Sequence, residues 1–116
     1  MEKGKMVEEI RRAHIECGFV PPDVKDPSEV NVRGVERAIE EMRTEAEGYA
    51  LDILHDAVGI IIWTERGDWE KVTFLASRIS SAASRVQGAA DYAKRATKLK
   101  ERLLSILEKG LNTPDE

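Results

Sequence analysis

The sequence predicts an all-α protein, with a short N-terminal helix followed by a long antiparallel helical hairpin in a coiled-coil-like bundle completed by dimerisation. Three observations carry this. Apolar residues recur at three- and four-residue steps over most of the chain, one short segment reads as a reversal between two long periodic runs, and strand formers are scarce. Of 116 residues 34% are charged, 41% hydrophobic and 5% aromatic, whereas a sheet sandwich would need more Val, Thr and aromatic side chains. The length fits one domain over 1–116, with helices at about 2–17, 27–66 and 69–109 and a flexible tail at 111–116.

The first helix follows from Met6, Val7, Ile10, Ala13, His14 and Cys17, which share one face. Gly18 supplies a left-handed stop, and Pro21-Pro22 keeps the connection from resuming the helix. Asp26-Pro27-Ser28-Glu29 has the form of a helix start, an oxygen-bearing cap followed by proline where its missing N–H does no harm; Asn31 is a second candidate cap.

The second helix carries a narrow seam at Val35, Ile39, Met42, Ala46, Tyr49 and Ile53. From Ala50 to Trp63 it becomes apolar nearly all round, so that stretch needs cover on more than one side. Gly67-Asp68 then reads as a stop followed at once by a cap, which is a short way to reverse direction. The third helix has a sustained heptad: Val72, Ile79, Val86, Ala93, Lys100 and Leu107 with Leu75, Ala82, Ala89, Ala96 and Leu103. Gly110 should end it. At 1.5 Å per residue the two long helices span roughly 50 and 60 Å, against a radius of gyration of roughly 13 Å for a compact domain of this size. Either they break near Gly48, Gly59 and Gly88, or the hairpin pairs with a second copy. The unbroken heptad favours the homodimer, with packing and dimer contacts at Leu54, Val58, Ile61, Ile62, Trp63, Val72, Leu75, Ile79, Ala82 and Val86.

Candidate chemistry is sparse. Asp52, His55 and Asp56 share a helix face at spacings that suit metal ligands or an acid/base pair, but other helices offer little to complete a site. The segment Leu51 to Gly59 resembles the His-Asp signature of HD-type phosphohydrolases, an all-helical family that binds metal through a separate His, the His-Asp pair and a later Asp. The resemblance covers nine residues. His14 and Asp91 fill the outer roles only nominally, and the helix continues through the dipeptide, so no residue role is carried over. Gly67-Asp68-Trp69-Glu70-Lys71 resembles the opening of a tetratricopeptide unit, without a second copy. Cys17 beside His14 reads as a small buried side chain on an apolar face. No glycine-rich phosphate loop follows a strand, and no cofactor is expected.

Charge is more informative. Residues 1–70 hold 9 basic and 17 acidic side chains, net −8, and residues 71–116 hold 9 basic and 5 acidic, net +4. Arg78, Arg85, Lys94, Arg95, Lys98 and Arg102 form a basic ridge that would suit a phosphate backbone, or would pair with Glu36, Glu40, Glu41, Glu45 and Glu47 on the second helix. With one cysteine, no secretory pattern after Met1 and no span-length apolar run, the chain is expected in the cytoplasm and off the membrane. The leading expectation is a non-enzymatic protein–protein interaction module, a small subunit or regulator acting as a dimer with a further protein partner. Alternatives are a nucleic-acid-associated subunit using the basic ridge and a metal-dependent hydrolase using Asp52, His55 and Asp56.

Overall fold

The computed structural model describes residues 2–112. It is all-helical among those residues, with α1 over Lys3–Glu16, a single 3-10 turn at Pro27–Glu29, α2 over Val32–Glu65 and α3 over Trp69–Asn112. The architecture is the predicted one, a short helix and then a long antiparallel hairpin. Neither long helix breaks: α2 runs through Gly48 and Gly59, and α3 through Gly88.

Helix ends follow local chemistry where the sequence signals it. Gly18 and Gly67 adopt φ of +84° and +74°, a conformation that side chains with a Cβ avoid. At α1 the amides of Gly18 and Phe19 bond back to the carbonyls of Ile15 and His14. At α2 those of Gly67 and Asp68 bond back to Thr64 and Trp63, so both helices close with the same glycine motif. Asp68 then caps α3 by accepting from the Lys71 amide at 3.2 Å.

Two ends differ from expectation. The second helix starts at Val32, not at Pro27: Asp26 caps only the 3-10 turn, Val30 is extended at ψ 132°, and Asn31 takes the α2 cap, accepting from the Gly34 amide at 2.8 Å. The third helix does not stop at Lys109. It continues through Gly110, where the Met6 side chain of α1 lies in the space a Cβ would fill, so the close approach suits glycine inside the helix. Leu111 and Asn112, expected in the tail, are therefore helical, and residues 113–116 lie outside the described residues.

The chain divides into two compact units, one built from residues up to Ile39 and from Ala93 onward, the other from Glu40–Tyr92. The first holds the apolar core. Met6, Ile10, Ala13 and Cys17 of α1 pack with Leu99, Leu103 and Ile106 of α3, flanked by Phe19, Val30, Val32, Val35 and Leu107. Lys100, which occupies a heptad slot, is half-buried and reaches Glu36 at 3.5 Å, so its charge is met where leucine would be expected. His14 is also buried here and is satisfied through Nδ1 by the Ile10 carbonyl at 2.8 Å. Cys17 is buried in the same cluster as a packing residue.

Candidate functional site

The second unit, Glu40–Tyr92, is a pair of antiparallel helix segments in strict register. Lys71 sits over the Trp63 ring, Leu75 against Gly59, Arg78 beside Asp56 and Arg85 beside Tyr49. Each step back along α2 is matched by an equal step forward along α3. The seam of α2 is therefore Tyr49, Ile53, Asp56, Ile60 and Trp63, at alternating steps of four and three. A carboxylate stands in the middle of an apolar row.

Asp56 is 4% exposed. Its Oδ2 lies 3.2 Å from Arg78 Nε and its Oδ1 3.5 Å from His55 Nδ1. A buried carboxylate is costly unless paired, and Arg78 supplies the pairing from the facing helix. Arg85 has a different partner. It donates to the Tyr49 hydroxyl at 3.2 Å, lies 5.5 Å from that ring, and its pKa is raised by the Tyr49 hydrogen bond and charge, then by Glu45. Asp56, Arg78, Tyr49 and Arg85, with Asp52, Phe74, Ser77, Ser81 and Ala82, line an open pocket of about 240 Å³.

Of the three residues considered as metal ligands, the structure brings His55 close to Asp56 and sets Asp52 beside Asp56 in the pocket wall. The His55 side chain is otherwise almost fully exposed. Among the described residues no three His, Cys, Asp or Glu side chains gather as a metal-holding group.

The basic ridge is largely tied to this chain, although not to the partners expected. Arg78 meets Asp56, Arg85 meets Tyr49, Arg95 donates to the Gly18 carbonyl at 3.1 Å and lies over Phe19, and Arg102 meets Glu16 at 2.6 Å. Of the acidic residues proposed as their partners, Glu36 pairs with Lys100, and Glu40 pairs with Arg43 on its own helix. Lys94 and Lys98 are exposed.

The expected packing and dimer residues separate into two groups. Trp63, Val72, Leu75, Ile79, Ala82 and Val86 are half-buried, whereas Leu54, Val58, Ile61 and Ile62 are exposed. The structure adds Leu51 to the second group. Leu51, Leu54, Val58 and Ile61 are 66%, 62%, 50% and 62% exposed and recur at steps of three, four and three. By helical periodicity that stripe lies on the far side of α2 from its seam. Trp69 and Phe74 are exposed on α3 as well. In this unit the buried residues are Asp56 and Ala89 alone among those described, so no large apolar side chain is fully buried there.

Sequence periodicity located the exposed stripe within the stretch Ala50 to Trp63 but did not separate it from the seam. Counting outward from the Gly67-Asp68 reversal would have done so, and would have placed Arg78 opposite Asp56. No helix among the described residues is long and apolar enough to cross a membrane. No protein-family model, no curated protein and no solved structure matches the chain.

Proposed function

We propose that this chain is a non-enzymatic helical protein–protein interaction module, a small cytoplasmic subunit or regulator that acts as a dimer and presents a coiled-coil-like surface to a further protein. The observation that carries the reading is the outward stripe of α2, Leu51, Leu54, Val58 and Ile61, uncovered in a unit without a large buried apolar residue. With Ile62 at 42% exposure these side chains make a run of exposed large apolar residues on one helix, and contiguous apolar patches mark interaction sites. The tethering of Arg78, Arg85, Arg95 and Arg102 within the chain favours this reading over a nucleic-acid role, because the ridge has few cations left for phosphates.

Multi-angle light scattering at tens of micromolar tests it. A mass twice that of the 13.0 kDa chain is expected; a strictly monomeric protein would sink the proposal. Leu54→Arg should restore a monomer with unchanged helical circular dichroism, since that side chain is exposed and leaves the seam intact.

A further inference from the structure

The outward stripe of α2 also constrains how a second copy can sit on it. We infer that two copies pair α2 against α2 in antiparallel orientation about a two-fold axis near Asp56, Leu51 facing Ile61 of the second copy and Leu54 facing its Val58. The inference rests on the dimer reading above and adds its orientation and register.

Spacing sets the register. The stripe steps by three, four and three, which reads the same in both directions, and an antiparallel helix pair sets alternate seam positions opposite one another. A centre at residue 56 brings all four apolar side chains into contact with apolar side chains. Any shift by a turn leaves one of them against Glu47 or Glu65, which end the stripe on the same face.

Charge sets the orientation. Upstream of Leu51 the face continues through Glu47, Thr44 and Glu40, all exposed. A parallel pair would lay that segment against its own copy, Glu40 on Glu40 and Glu47 on Glu47, along a seam of like charge. In the antiparallel pair α2 of the second copy ends at Glu65 and turns away at Gly67, so residues before Glu47 face no α2, and the like-charge contacts fall to the two end pairs of Glu47 with Glu65, where a parallel pair would stack Glu40, Glu47 and Glu65 each on its own copy. The overlapped segment from Glu47 to Glu65 carries charge at those two ends and at Asp52, His55 and Asp56; Asp56 is turned inward to Arg78, and Asp52 lines the pocket beside it. Opposed helix dipoles favour the same arrangement. Leu51, Leu54, Val58, Ile61 and Ile62, at 66%, 62%, 50%, 62% and 42% exposure, with Ala50 and Ala57 beside them, supply the apolar surface that such a pair would bury.

Disulfide trapping in the full-length chain tests the orientation. In a Cys17→Ala background, Leu51→Cys and Ile61→Cys are made singly and together and exposed to mild oxidation, with light scattering on each reduced protein. The inference expects dimers in all three, at least tenfold more covalent dimer from the double variant than from either single one, and no difference in helical circular dichroism. Cross-linking of the single variants points to a parallel pair and overturns the inference. So does a dimer that cross-links in none of them. Reduced proteins that are all monomers, with the parent monomeric too, overturn the functional proposal itself.

Discussion

Arg78 reaches across from α3 to hold the one carboxylate that α2 places in its seam, Nε of Arg78 lying 3.2 Å from Oδ2 of Asp56. Asp56 is almost wholly buried while the Arg78 side chain is half exposed, so solvent screens one partner only. Arg78→Leu is expected to destabilise the fold by about 1–2 kcal/mol, most of it from leaving Asp56 without its counter-charge. The double variant Asp56→Leu, Arg78→Leu should recover that loss, because well-packed apolar residues commonly match or exceed a buried ion pair. Urea denaturation of the four members of the cycle at one protein concentration measures this. Additive single losses would show that the two side chains do not act as a pair.

Neighbouring leucines near the end of α3 should respond very differently to truncation. Leu103 is fully buried between α1 and α3, and Leu104 is 46% exposed. Leu103→Ala is expected to cost about 3 kcal/mol or more, through lost burial and the cavity left behind, and Leu104→Ala less than about 1 kcal/mol. Chemical denaturation midpoints give the comparison directly.

Gly88 stands in the interior of α3 with open space around the position of a Cβ. Nothing about its backbone requires glycine. Gly88→Ala should stabilise the protein by about 0.5–1 kcal/mol through helix propensity, raising the thermal midpoint. A loss of stability would mean that another chain lies against that position.

Asp26 gives a pH-dependent prediction. Its carboxylate accepts from the Ser28 amide at 2.9 Å and the Ser28 hydroxyl at 2.8 Å, and Lys3 lies 3.5 Å away. Its pKa is lowered from 3.8, first by the backbone bond, then by the hydroxyl, and less by Lys3. A depressed folded-state value contributes stability that is present above the unfolded pKa and lost as pH falls through the folded one. An NMR titration should therefore place the Asp26 midpoint below 3.8, and Ser28→Ala should move it upward. An Asp26 midpoint unchanged in that variant would rule out the hydroxyl as a cause.

The parts of this fold that were legible in the sequence are those decided by residues near one another along the chain. Gly18, Gly67, Asp68 and Asn31 act within a turn or two of themselves, and each appears in the structure in a role its chemistry suggests. The failures are tertiary. Gly110 looks like a stop, but the helix runs through it, and the reason for a glycine there is the close approach of Met6, more than a hundred residues earlier. Of the ridge residues on α3, Arg78 and Arg102 meet acidic partners outside the expected glutamates, while Arg85 meets a hydroxyl and Arg95 a carbonyl, because the pairings depend on which face each helix turns inward. Arg102 consequently meets Glu16 of α1, and Arg78 meets Asp56, a charged residue that an apolar periodicity does not mark as part of the seam. The outward stripe was hidden for a related reason, since a run apolar on all sides does not say which side a neighbour takes.

The core of α1 with the end of α3 joins the segments that lie farthest apart among the described residues, while the Glu40–Tyr92 pair is local and bridged by a three-residue reversal. Closing a long loop is slower than closing a short one, so the helical pair should form early and the best-packed contacts late. Amide exchange should run opposite to that order, slowest around Ile10 and Leu103 and faster in the alanine-rich middle of α3. Shortening α1 would thus remove the last step of folding while sparing the first.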